Sequence, residues 1–276
     1  MYEAFYNFKA KPFQLSPDPR FYFSSRGHRR AMAYLIYGLH QGEGFIVITG
    51  EIGAGKTILA NALARKLATE NLALAQVVST RLEADDMVRM IAAAFGLPQD
   101  NSKAVLLNRF EQFLLACHRQ GKRALLVVDE AQNLPLASVE ELRMLSNFSS
   151  AAKPLLQTFL LGQPEFRKTL QIPQLEQLRQ RVIATCHLGP MDAAETEAYI
   201  AHRLQTVGWR GDPSFSAEAF TAIHQYTGGI PRIINMVCDR LLLMGRLDNK
   251  HAFTLRDVTE ITTEMAEAFS PSQGME

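Results

Sequence analysis

The stretch Gly50-Glu-Ile-Gly-Ala-Gly-Lys-Thr57, "GEIGAGKT", constrains this chain more than any other part of it. It fits the spacing G-x-x-x-x-G-K-[ST], which average residue frequencies produce by chance in roughly one chain in a hundred of this length. The apolar run "FIVIT" leads straight into it, and the helical segment "ILANALARKLA" leads out. A strand, a glycine-rich loop and a helix in that order make a cradle for phosphate, and this context outweighs an ordinary glycine turn. Gly50, Gly53 and Gly55 let the backbone curl so that successive N–H groups converge, and the helix N-terminus adds its partial positive charge. The residues expected at the phosphates are Gly50, Glu51, Ile52, Gly53, Ala54, Gly55, Lys56, Thr57 and Ile58. Lys56 would reach the β- and γ-phosphates, and the Thr57 hydroxyl would ligate Mg2+.

Five apolar runs read as strands: Phe45–Thr49, Ala73–Ser79, Ala124–Val128, Leu155–Leu161 and Val182–His187. They are rich in Val, Ile and Leu and lack polar alternation, as strands covered on both faces of a parallel sheet do. Segments of helical period separate most of them. Leu106, Phe110, Phe113 and Cys117 repeat at such spacing between Ser102 and Gly121, so Cys117 reads as packing. Strands alternating with helices give an α/β fold with a parallel five-stranded sheet.

After Pro190 the pattern changes to three or four helices, with no convincing strand. Asp192 and Glu195 form a capping-box start, Gly208 is placed to stop that helix, and Pro231 suits the first turn of another. The expected organisation is an α/β nucleotide-binding domain over 1–189, a helical lid over 190–268 and a disordered tail over 269–276. Residues 1–44 are grouped with the first domain as an adenine-side segment and helix.

The strand "ALLVV" delivers Asp129 and Glu130 to its carboxyl end, the edge where open α/β sheets bind ligands. Asp129 suits a second magnesium-holding position, and Glu130 suits a general base on the attacking water. An acidic pair there could instead cap the following helix, a reading the intact phosphate loop disfavours. Gln132 completes the letters "DEAQ" shared with some helicases, but those enzymes use two α/β domains in tandem, and one is read here. Extra positive charge at the γ-phosphate has three candidate sources: Arg179 and Arg181 in "LEQLRQRVIATCHL", and Arg232 in "TGGIPRIIN". At about 100° per residue, Arg232 falls roughly 160° from the apolar stripe of its helix.

In chain order, "KPFQLSPDPRFYF", "GFIVITGEIGAGKT", "LLVVDEAQNL", "LLGQPEF", "LRQRV" and "GGIPRIIN" resemble the AAA+ ATPases, and within them the general secretion pathway protein A group. That group is similar to ATPases found with type II secretion, mannose-sensitive pili and exosortase-linked exopolysaccharide loci. With "EELRMLSNF", the pattern looks most like the exosortase-associated (PEP-CTERM) subgroup. The resemblance implies an ATP/ADP site and a homo-oligomer. Arg232 would be the sensor 2 residue, Arg181 a finger entering a neighbouring subunit's site, and Gln163 the sensor 1 residue, where many relatives carry Asn, Ser or Thr. Ile58 stands where many relatives have a second threonine.

Net charge is +1, which argues against a strongly basic nucleic-acid face. Cys117, Cys186 and Cys238 are sparse and form no CxxC pair, as in a reducing compartment. The longest apolar runs are far short of the ~20 residues a membrane span needs. These features suggest a cytoplasmic protein, peripheral to the inner membrane only through partners. The leading reading is an oligomeric ATPase serving envelope secretion or polysaccharide export. Its alternatives are a DNA-binding ATPase resembling transposition regulators, and a nucleotide-gated scaffold with little turnover.

Overall fold

A computed structural model describes residues 1–42, 44–67, 71–78, 83–100, 102–151 and 153–269. The expected end of the second strand at Ser79, and the tail beyond Phe269, lie outside these residues. The chain forms two compact units. One comprises Gly27–Ile52 and Lys56–Gly189; the other comprises Met1–Arg26, Gly53–Gly55 and Pro190–Glu276.

The larger unit is built on five parallel strands: β1 (Phe45–Gly50), β2 (Leu72–Val78), β3 (Arg123–Asp129), β4 (Leu156–Gly162) and β5 (Val182–Leu188). Their spatial order is β2-β3-β4-β1-β5. β1 and β4 are buried throughout, and β3 is buried after Arg123, so their unbroken apolar sequences match their surroundings. The outer strands differ. Gln76 and Val78 on β2, and Thr185 and His187 on β5, are exposed, because an edge strand has one neighbour and thinner cover.

Between β2 and β3 run two helices, Ala84–Ala94 and Lys103–Arg119. On the second, the buried stripe is Leu106, Phe110, Leu114 and Cys117, with Phe113 only half-buried. Leu114 thus takes the place expected of Phe113. Phe113 still packs against Phe95, with ring centroids 5.4 Å apart. Burying such rings and aliphatics contributes about 1.5–3 kcal/mol each. An antiparallel bridge of Ser149–Ser150 with Lys153–Pro154 precedes β4 and was not anticipated. Cys117, Cys186 and Cys238 are free and buried, and burial pushes each thiol above its ordinary pKa. They pack as small apolar groups.

The smaller unit holds the helices Ala193–Thr206, Ala217–Thr227, Pro231–Leu247 and Leu255–Phe269. The first starts with a full capping box: Asp192 accepts from the Glu195 N–H, and Glu195 accepts from the Asp192 N–H. Ser216 caps the second through the Ala219 N–H. Asp257 accepts from both the N–H and the hydroxyl of Thr254 at the start of the last. One strand pair adds to the expected helices, a short parallel bridge of Ser214–Phe215 with Ala252–Phe253.

Residues 1–26 sort with this helical unit, whereas the sequence reading grouped 1–44 with the α/β domain. The reason is aromatic burial. Tyr2, Tyr6, Phe8, Phe13 and Phe21 share a core with Tyr199, Ile200, Leu204, Ile234, Leu241 and Phe253. Gly245 makes room for this segment, since a Cβ there would stand 2.1 Å from the Tyr6 hydroxyl oxygen. Arg203, only 4% exposed, ties the segment down. Its guanidinium donates to Pro12 O at 2.5 Å, Gln14 O at 3.2 Å and Tyr199 Oη at 2.8 Å, and its Cζ lies 4.5 Å from the Phe21 ring centre. Replacing it would strand several buried acceptors at once. Arg203→Ala is therefore expected to cost about 3 kcal/mol or more. Thermal denaturation would show a fall of several degrees, and amide hydrogen exchange would quicken between Phe13 and Leu15.

Candidate functional site

At the carboxyl end of β1 the chain turns through Gly50–Gly55 into the helix Lys56–Lys66. Gly53 has φ +80° and Gly55 has φ +97°, left-handed values that side chains resist. Within the smaller unit, Gly53 also lies against Arg232: the Arg232 N–H donates to Gly53 O at 3.3 Å, and a Cβ on Gly53 would stand 2.4 Å from Arg232 Cβ. Two separate demands, dihedral and steric, therefore select glycine at position 53.

In the larger unit, Lys56 is 5% exposed, and its Nζ donates to Gly50 O at 2.8 Å and Glu51 O at 3.1 Å. Burial lowers its pKa, against the raising pull of the carboxylates of Glu130, Asp129, Glu51 and Glu165. Thr57 Oγ1 donates to Asp129 Oδ2 at 2.6 Å, and the Glu130 N–H donates to Asp129 Oδ1 at 2.9 Å. Asp129 is 2% exposed, so both its oxygens need these donors. A hydroxyl and a carboxylate meeting this closely are hard oxygen donors of the kind a magnesium ion takes. The chemistry of the pair fits that ion.

Glu130 follows with φ +55° and ψ +40°, a left-handed conformation costing a non-glycine residue about 1–2 kcal/mol. Such strain gathers where function fixes a side chain. Its Oε2 accepts from Gln132 Nε2 at 2.5 Å and from Gln163 Nε2 at 3.4 Å. Gln132 Oε1 in turn accepts from the Gln163 N–H at 2.9 Å. The structure thus brings Lys56, Thr57, Asp129, Glu130 and Gln163 into one connected cluster. Gln132 belongs to it as well, although the sequence reading gave it no task. Its spacing from Glu130 was visible; its contact with residue 163 was not.

The AAA domain family model matches residues 39–170. General secretion pathway protein A of Aeromonas hydrophila is 37% identical over 268 residues, 96% of this chain. The chain spans about half (49%) of that relative's length. Among solved structures, the ORC2 protein of Aeropyrum pernix in its ADPNP–ADP complexes aligns with a TM-score of 0.69 at 16% identity, covering 96% of this chain and 75% of that one. Cdc6p of Pyrobaculum aerophilum aligns at 0.73 and 15% identity, covering 92% and 70%.

The fold is that of the AAA+ P-loop NTPases.

Within this AAA+ fold, Arg181 and Arg179 donate to groups outside the carboxylate cluster. The Arg181 guanidinium donates to Ser146 Oγ at 2.6 Å, and Ser146 Oγ donates to Arg143 O at 2.6 Å. Arg181 lines a cavity of about 390 Å³ with Gly44, Ser146, Asn147, Gln180 and Ile183. Arg179 is exposed and donates to Gln171 O at 3.3 Å. Arg232 lies in the first turn of Pro231–Leu247, exposed and off the apolar face of that helix. Ile58 is half-buried and Ile52 is 60% exposed. Among the described residues, no group of three or more His, Cys, Asp or Glu side chains is arranged to hold a metal, and no helix is long and apolar enough to cross a membrane.

The Thr57–Asp129 bond lends itself to a direct stability test. Thr57→Val keeps the shape and removes the donor to a buried carboxylate. We expect a loss of about 2 kcal/mol without added ligand, seen as a melting temperature lower by about 4–8 °C. In an Asp129→Ala background the same substitution should have little further effect.

Proposed function

We propose that this chain binds ATP with Mg2+ and hydrolyses it to ADP and phosphate, as an oligomeric ATPase serving a bacterial envelope secretion system. The observation that supports it most is the pair of carboxylates closing β3. Asp129 is bonded to the phosphate-loop hydroxyl, and Glu130 is held one residue on in a strained, amide-clasped pose. A chain that only bound nucleotide would have no use for the second carboxylate.

In this reading the backbone from Gly50 to Ile58 wraps the phosphates, and Lys56, held by two loop carbonyls, donates to phosphate oxygens. Thr57 and Asp129 would hold the magnesium ion, which when bound neutralises phosphate charge. Glu130 takes the proton from the attacking water. Gln163 helps fix that carboxylate, a sensor 1 role compatible with its side chain's reach to Glu130. Arg232 is assigned to sensor 2, linking lid position to nucleotide state.

Arg181 is assigned to a neighbouring subunit's site. The assignment is supported by its guanidinium being engaged with Ser146 and, among the described residues, with no carboxylate. The secretion role rests on the Aeromonas relative, and service in an exosortase-linked exopolysaccharide system is the finer form of the proposal.

Glu130→Gln should bind ATP with near-native affinity and hydrolyse it at least about a hundredfold more slowly. Nucleotide titration and phosphate release would measure the two separately, and native turnover in the variant would remove Glu130 from its role. Wild-type turnover per chain should rise steeply with protein concentration, and Arg181→Ala should lose turnover while keeping nucleotide. Full activity of a dilute, verified monomer would reject the arginine assignment. Turnover that rises on adding duplex DNA, with salt-sensitive binding, would favour a DNA-dependent ATPase instead.

A further inference from the structure

The side-chain amide of Gln132 is bound at both ends. It sits in the single turn Ala131–Asn133 directly after β3. Its Oε1 accepts from the Gln163 backbone N–H at 2.9 Å, and its Nε2 donates to Glu130 Oε2 at 2.5 Å. A backbone N–H can only donate, so the amide oxygen must face residue 163. The amide nitrogen is then left facing the carboxylate. This orientation follows from the chemistry of the partners and not from an arbitrary placement of two similar atoms.

Space for the bridge comes from the last residue of β4. A Cβ at Gly162 would lie 3.2 Å from Gln132 Oε1, a tighter approach than side chains usually make. Side-chain length matters as well, because the amide has to span from its own backbone to both the end of β4 and the carboxylate. Asparagine is one methylene shorter. Glutamate has the length but no donor.

A free glutamate side chain rotates about several bonds, and holding it in one pose costs conformational entropy. Here the pose is fixed by two amides converging on Oε2. Among the described residues no hydrogen bond engages Oε1, which leaves that oxygen to take up a proton.

We propose that Gln132 is a positioning residue that clasps Glu130 and ties the pose of its carboxylate to the end of β4. A shift of Gln163 with β4 would pull on the amide and so on the carboxylate. The inference rests on Glu130 being the water-activating group proposed above, and it assigns Gln132 no contact with nucleotide.

A double-mutant cycle tests it, using wild type, Glu130→Gln, Gln132→Ala and the double variant, with Gln132→Glu as a size-matched control. Single-turnover hydrolysis, KM for ATP, affinity for a fluorescent ADP analogue and melting temperature are measured for each. Gln132→Ala should lower kcat about tenfold or more, with KM and ADP affinity within about twofold of wild type. Gln132→Glu should be as slow, since it fills the space without donating. In the Glu130→Gln background, Gln132→Ala should slow hydrolysis no further, because residues acting as one unit are non-additive. Multiplicative losses would overturn the proposal, as would a Gln132→Ala enzyme within twofold of wild-type kcat. A fall in ADP affinity matching the fall in kcat would do the same. If Glu130→Gln alone turns over normally, the base assignment itself fails, and that single variant identifies the failure as its own. Should Gln132→Ala melt far below wild type, the size-matched Gln132→Glu decides.

Discussion

The hydrogen bond between Thr57 Oγ1 and Asp129 Oδ2 joins two strands that are not neighbours. Thr57 follows β1, Asp129 ends β3, and β4 lies between them in the sheet. Adjacent strands are about 4.8 Å apart, so the bond closes a gap of roughly 10 Å across the carboxyl edge. The phosphate loop carries left-handed glycines at 53 and 55, which let it curl back over that edge. The parallel sheet fixes the positions, and the loop then carries a hydroxyl to the buried Asp129 carboxylate.

Charge burial explains why the surrounding residues are so tightly specified. Lys56 and Asp129 are both almost fully covered, and neither charge would be tolerated there alone. Lys56 is satisfied by two loop carbonyls, and Asp129 by a hydroxyl and a backbone N–H. Lys56 keeps a third N–H donor beyond those two carbonyls, and the Asp129 carboxylate keeps further lone pairs. Glu130 differs in being only half-buried and in holding a strained backbone conformation. In that conformation the carboxylate meets the side-chain amides of Gln132 and Gln163.

Much of this was legible in the sequence. The five apolar runs and the glycine loop gave the parallel sheet and the place of its ligand edge, because parallel strands buried on both faces leave an unmistakable Val/Ile/Leu signature. The capping box at Asp192 and Glu195 was equally local. What escaped the sequence was long-range. Tyr2, Tyr6, Phe8 and Phe13 say that something will bury them but not that the partners are Tyr199 and Leu241, far along the chain. Leu114 and Phe113 sit one position apart, and only the packing of neighbouring helices decides which turns fully inward. Gln132 looked like the last letter of a motif shared with other enzymes. Its meaning depends on Gln163, just past the end of the next strand of the sheet.

The balance of charge around Lys56 bears on how the proposed site is completed. Four carboxylates act on that lysine electrostatically, and its ammonium is bonded to two carbonyls of the phosphate loop. A triphosphate brings further negative charge, and the transition state of phosphoryl transfer spreads charge over oxygens that must meet donors or cations. A bound divalent ion offsets part of this, but Asp129 and Glu130 offset the ion in turn. The larger unit is therefore rich in groups that organise water and metal, and poor in groups that would stabilise a leaving phosphate. Arg181, which could mend that deficit, is held instead at the C-terminal end of the helix Leu136–Leu145 by Ser146, whose hydroxyl is committed to Arg143 O. The Arg181 guanidinium is thereby placed along the cavity lined by Gly44, Asn147 and Ile183. On the proposed oligomeric reading, that arginine is the group a neighbouring chain would offer to such a site.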